Sequence, residues 1–177
     1  MRGVKTDEAL LRAVGRGDRA AFRELYERHA ERVFRFALSL VRAPHLAEEV
    51  LQETMVAVWK NADKFRGTSK ATTWILGITK NQGYGLLRRE TRGERTPEDP
   101  AAEPDPAATA ELCVRVEDAV ATLPPHLREV LHLVFYEEMT LGEAAAVLGI
   151  PEGTVKSRMF HARKALAKVL TLSLIHI

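Results

Sequence analysis

Thr154, Lys156, Ser157, Arg158, Phe160, His161, Arg163 and Lys164 bring four cations, two hydroxyls, an imidazole and an aromatic ring into one short stretch. None is paired as a nucleophile with its base. Apart from the Phe160 ring, what these groups share is hydrogen-bond donation to phosphate oxygens, which fixes register, and to base edges, which specifies sequence. Lys156 can donate to guanine O6 and N7, though without the planar fork of an arginine.

A second polar face carries Lys80, Asn81, Tyr84, Arg88 and Arg89, and Phe65, Arg66 and Ser69 stand in the loop before it. Rings beside cations suit single-stranded nucleic acid, because bases stack on the rings while the backbone meets the charges. A third group, Glu48, Glu49, Gln52 and Glu53, is acidic. Paired carboxylates do acid–base work only in a cleft with a partner base, and the sequence offers neither. Acids in the first half of a helix are also ordinary electrostatics. There is no HExxH, nucleophile elbow or P-loop, and a single cysteine, Cys113, excludes an internal disulfide or a multi-cysteine zinc site. No catalytic, cofactor or metal residue is therefore expected.

The elements that position the first group are legible. Thr140 and Glu143 have the spacing of a capping box. Leu141, Ala144, Ala145 and Leu148 give one apolar stripe, and Gly149 stands where a helix-ending residue needs positive φ. Ile150 plugs the turn, and Pro151 suits the first turn of a second helix with Val155, Met159, Ala162 and Leu166 inward. A basic helix alone is more often a solvated face of a helical hairpin. Cap, turn glycine, the Ala144–Ala146 run and the basic helix together predict a helix-turn-helix, whose second helix can enter a major groove.

Upstream, residues 1–17 read as a polar lead with one amphipathic turn at Leu10, Leu11 and Val14, followed by a cap at Asp18. The 3.6-residue period predicts a helix over Arg19–Val41, with His29 as a core or boundary histidine, and another over His45–Asn61. A loop then precedes a helix over Thr72–Glu90 with Trp74, Ile78 and Leu86 inward; Gly83 and Gly85 inside it imply either close packing or local loosening. The proline- and acid-rich stretch Thr91–Thr109 cannot build a core and marks a linker. A helix over Ala110–Thr122, a Leu123-Pro124-Pro125 corner and a helix containing Leu127, Val130, Leu131, Val134 and Phe135 lead into the helix-turn-helix. The expected fold is all-α: two small helical domains, residues 18–91 and 110–170, joined by a flexible linker at 92–109.

The stretches Ala47–Gly67, Thr73–Ile78 and Leu123–Leu166, in that order around a linker, resemble the extracytoplasmic-function group of sigma-70 family transcription initiation factors. The resemblance spans roughly Asp18–Leu170 and covers the domains called regions 2 and 4. It implies a non-enzymatic factor that binds core RNA polymerase, directs it to promoters and helps open the DNA. Glu49, Gln52 and Glu53, with Glu48 beside them, would dock on the polymerase. Phe65, Arg66, Ser69, Lys80, Asn81, Tyr84, Arg88 and Arg89 would handle the −10 element, with a flipped base near Phe65–Ser69 and Asn81, and Trp74 structural. Thr154 and Lys164 would join the −35 surface, where Lys156, Ser157, Phe160 and His161 would face base edges, and Arg158 and Arg163 phosphates or packing. Gly85 stands where many relatives have Asp. An anti-sigma factor is the further partner implied.

With 26 Lys and Arg against 24 Asp and Glu in 177 residues, attraction to nucleic acid must come from local faces rather than a global field. No apolar run reaches bilayer length and no secretory signal opens the chain, so a cytoplasmic setting is expected. The tail, residues 171–177, ends in LSLIHI, which CTG TCT CTT ATA CAC ATC encodes; this resembles a transposon end used in making sequencing libraries. The tail is expected not to continue the helical pattern and to be adapter-derived. The competing functional reading is a stand-alone helix-turn-helix regulator, which would leave the acidic helix and the Phe65/Asn81/Tyr84 surface without work.

Overall fold

The structure, a computed structural model, describes residues 3–93 and 111–175, with side chains over 3–93 and 116–172. Its described residues form eight α-helices and no strand. Most of the expected linker and the Leu112 and Cys113 side chains lie outside the described residues.

The N-terminal half packs α1 (Asp7–Gly15), α2 (Arg19–Val41), α3 (Pro44–Asn61) and α4 (Ala71–Thr91) around Leu10, Leu25, Phe36, Val50, Val58 and Leu76. The polar lead is in fact largely a nine-residue helix, capped by Thr6 and burying Leu10 and Leu11 completely. Asp7 then reaches back to α2. It accepts from Arg28 Nη1 at 2.8 Å and from His29 Nε2 at 2.8 Å. Burial pushes the His29 imidazole below its ordinary value, against the pull of Asp7. A buried, neutral histidine donating to one carboxylate is a core residue, and no group of metal ligands occurs among the described residues.

A 3₁₀ turn over Ala62–Lys64 leads to the loop before α4. No side chain of the preceding Lys70 caps α4; instead Glu8, from α1, accepts from the Ala71 N–H at 3.0 Å. The sequence reading named only part of the buried face of α4: Leu86 is buried as expected, and Trp74 and Ile78 pack against the core. Ile75, Leu76, Thr79 and Leu86 are buried, whereas Trp74 and Ile78 are half-exposed. The reason is that α4 is covered on two sides, by α2 and α3 and by a helix of the other half, so no single stripe defines its interior. The helix is continuous through both glycines.

The C-terminal half comprises α5 (Glu111–Ala121), α6 (Pro125–Leu131), α7 (Leu141–Leu148) and α8 (Glu152–Ile175). A π-helical turn over His132–Tyr136 widens the end of α6 and leaves Phe135 facing outward, at 58% exposure. Both arms of the Thr140–Glu143 capping box are present, and Gly149 ends α7 with φ 64°. Helix α8 runs on to Ile175, so the tail continues the helix rather than departing from it. No helix of the described residues is long and apolar enough to cross a membrane.

Candidate nucleic-acid interface

The capping box and the Gly149 turn fix the angle at which α8 leaves α7, and Val155, Met159 and Ala162 bury its inner side. The opposite side holds Lys156, Ser157, Phe160, His161, Arg163 and Lys164 in solvent, while Thr154 is half-buried at the start. Phe160 is 64% exposed, an apolar ring with no cover, and stands edge-on to His161 at 5.7 Å between centroids. Arg163 lies over the outward-turned Phe135 ring at 5.5 Å. Arg158 is different. Its Nη1 donates at 2.8 Å to Glu129, an α6 carboxylate only 2% exposed.

The second predicted group divides. Asn81, Arg88 and Arg89 are exposed along α4, and Arg66 is exposed in the loop. Phe65 is half-buried and packs on Trp74 at 5.5 Å between centroids, so Trp74 anchors the loop, in keeping with a structural role. Ser69 is half-buried beside them in the chain. Lys80 and Tyr84 turn instead toward the C-terminal half: Lys80 Nζ donates to the Leu148 carbonyl at 3.1 Å, and the Tyr84 hydroxyl to Glu129 at 2.7 Å. Burial, with the Glu129 carboxylate beside it, pushes the Tyr84 phenol up, so it remains a donor. Burial likewise raises the Glu129 carboxyl, against its two donors.

The acidic group lies where a partner could reach it. Glu48, Gln52 and Glu53 are exposed on α3, and Glu49 is half-buried with Arg89 Nη2 at 3.9 Å. The acidic face and the basic face thus occupy different halves of the molecule.

Three groups escaped the sequence reading: Glu8, which caps α4 within the N-terminal half, and Arg128 and Glu129, which bond across the junction. Arg128 is buried and donates to the Ser39 carbonyl at 2.8 Å, the Leu40 carbonyl at 2.9 Å, and the Leu123 carbonyl. One signal was available, since Arg128 and Glu129 interrupt the apolar run Leu127–Leu131, where a buried charge must find partners.

The sigma-70 region 2 profile matches residues 25–93, and the sigma-70 region 4 profile matches residues 113–166. The ECF RNA polymerase sigma factor SigM of Mycobacterium tuberculosis is 33% identical over 170 residues, covering 96% of this chain and 87% of that protein. The ECF RNA polymerase sigma factor RpoE of Cereibacter sphaeroides is 36% identical over 160 residues, covering 85% and 87%. Among solved structures, CnrH in complex with the cytosolic domain of CnrY matches with TM-score 0.72 and 28% identity, over 95% of this chain and 99% of that one. The sigma factor RpoE in complex with the anti-sigma factor NepR, from Bartonella quintana, matches with TM-score 0.71 and 26% identity, over 85% and 96%. Both halves of the fold, in order, match one group of proteins at these identities, and the chain belongs to the extracytoplasmic-function sigma factors of the sigma-70 family.

Proposed function

We propose that this chain binds core RNA polymerase through α3, reads a −35 element with α8, and holds the melted −10 element with α4 and the loop before it. The observation that carries this is the pairing of an exposed acidic face on the half matching region 2 with an exposed basic recognition helix on the half matching region 4. Residues 18–91 and 110–170 serve as the two working units, with α1 added to the first because it packs into its core.

Glu48, Glu49, Gln52 and Glu53 meet a basic polymerase surface, where complementary charge sets orientation and on-rate. Lys156, Ser157, Phe160 and His161 face base edges. The Phe160 ring suits a thymine methyl. Thr154, Arg158, Arg163 and Lys164 hold phosphates. Asn81 and the Phe65–Ser69 loop, with Arg66, receive a flipped base, and Arg88 and Arg89 follow the strand; extrusion costs a few kcal/mol that the pocket contacts must offset. The factor works without catalysing a reaction, in the cytoplasm. Its further partner is an anti-sigma factor, the kind of protein with which RpoE of Bartonella quintana was solved.

The test is equilibrium binding of purified protein to core polymerase, comparing wild type with Glu53→Lys. The charge reversal should weaken binding about tenfold or more, with the effect shrinking as salt rises. Equal affinity of the two proteins would place the polymerase contact elsewhere.

A further inference from the structure

The two halves of the molecule are closed on one another, and the closing contacts employ side chains assigned above to DNA. Glu129 sits at the centre. One carboxylate oxygen accepts from the Tyr84 hydroxyl of α4 at 2.7 Å, the other from Arg158 of the recognition helix at 2.8 Å. A carboxylate taken out of water needs both oxygens satisfied, and here one donor comes from each half. Around it, Lys80 is bound to the last carbonyl of α7, and Arg128 donates into the C-terminal end of α2 through the Ser39 and Leu40 carbonyls. Lys70 pairs with Glu143, so the capping carboxylate of α7 is shared with the residue that precedes α4.

These bonds and promoter binding exclude each other. A melted strand that took Tyr84 and Lys80 would displace Glu129 and the Leu148 carbonyl. A phosphate that took Arg158 would remove the other donor of Glu129. Phosphate oxygens offer Arg158 the same chemistry as the Glu129 carboxylate. Of these three donors, Tyr84 and Lys80 are the ones whose bonds cross between the halves, so DNA that takes them competes directly with closure.

We propose that Glu129 is a self-inhibitory clasp, which holds the −10 and −35 faces against each other through Tyr84 and Arg158 until DNA takes those donors. This rests on the reading of Tyr84 and Arg158 as promoter-contacting side chains. It requires no second protein to maintain the closed form. Because Glu129 serves both faces, loss of either donor weakens the hold on the other.

The clasp is tested on the full chain carrying Cys113→Ser, with spin labels at exposed positions of each half, Arg23→Cys and Lys168→Cys. Wild type should give one narrow distance distribution. Tyr84→Phe, which removes a single hydroxyl and leaves Glu129 in place, and Glu129→Gln should each shift the open-to-closed ratio roughly tenfold or more. Tyr84→Phe should also bind a labelled mixed-sequence DNA duplex several-fold more tightly, although Tyr84 lies outside the duplex-reading half. Unchanged distances and duplex affinity in Tyr84→Phe would overturn the clasp, as would a broad distribution in wild type. Should Glu129→Gln fail to fold by circular dichroism, Tyr84→Phe decides alone. Transcription by wild type with core polymerase separates the two readings: a failed clasp leaves wild type active while the distances in the variants stay unchanged, whereas a failed promoter reading leaves wild type inactive.

Discussion

Gly83 of α4 and Leu40 of α2 meet so closely that a Cβ on Gly83 would stand 2.8 Å from Leu40 Cδ1. The glycine is what lets α4 lie this near α2, and it accounts for one of the two residues that weaken the helix locally. Gly85 has no such reason, because a Cβ there meets only the Arg88 guanidinium at 3.9 Å.

The two glycines therefore respond oppositely to alanine. Gly85→Ala should stabilise the protein by up to about 1 kcal/mol, the helix-propensity difference. Gly83→Ala gains the same term but forces a buried Leu40 to move, and overpacking costs about 1–3 kcal/mol. The net expectation is a loss of about 1 kcal/mol. Urea melts of the two variants check the signs; a stabilised Gly83→Ala would mean that α4 and α2 stand further apart.

Glu8 caps α4 from another helix, and the Ala71 N–H holds its carboxyl below the usual glutamate range. A depressed carboxyl stabilises the fold above its unfolded pKa, and that contribution is lost as pH falls through the folded value. Glu8→Gln should thus cost about 0.5–1 kcal/mol at neutral pH, scaled down because water reaches the carboxylate. Thermal melts from neutral pH to about pH 3 should show the gap between wild type and variant closing in acid. A gap independent of pH would contradict the capping role.

Lys156 and Arg163 are both exposed on α8, yet different losses are expected. Lys156→Ala should relax the preference among −35 variants, because it removes a base-edge donor worth about 1–3 kcal/mol of discrimination at the contacted base. Arg163→Ala should weaken all sequences alike and reduce the salt slope by about one unit. Binding isotherms on a −35 library at several salt concentrations separate them; equal losses across the library for Lys156→Ala would sink its assignment.

Much of this arrangement was legible in the sequence where the determinants are local. The bounds of α2 followed from its period and from Asp18, and the helix-turn-helix from Thr140, Glu143 and Gly149. What stayed hidden depends on partners remote in sequence. Leu10 and Leu11 looked like one turn because their cover comes from later helices. The buried side of α4 was only partly named, Ile75 and Leu76 being missed, because α7 also packs on the helix from the other half. The candidate site residues could be named by type and position. That Lys80, Tyr84 and Arg158 are engaged at the junction could not, since their acceptors, Leu148 and Glu129, lie 29 or more positions away.

The most direct test of the account is multi-round transcription with core polymerase and a library of promoter fragments, with and without this protein. Protein-dependent transcripts that start downstream of a shared −35 and −10 pair are predicted, and they would define the promoter preference of Lys156, Phe160 and Asn81 at once. No transcripts, together with firm duplex binding by the protein alone, would contradict the account and favour a regulator that acts without polymerase.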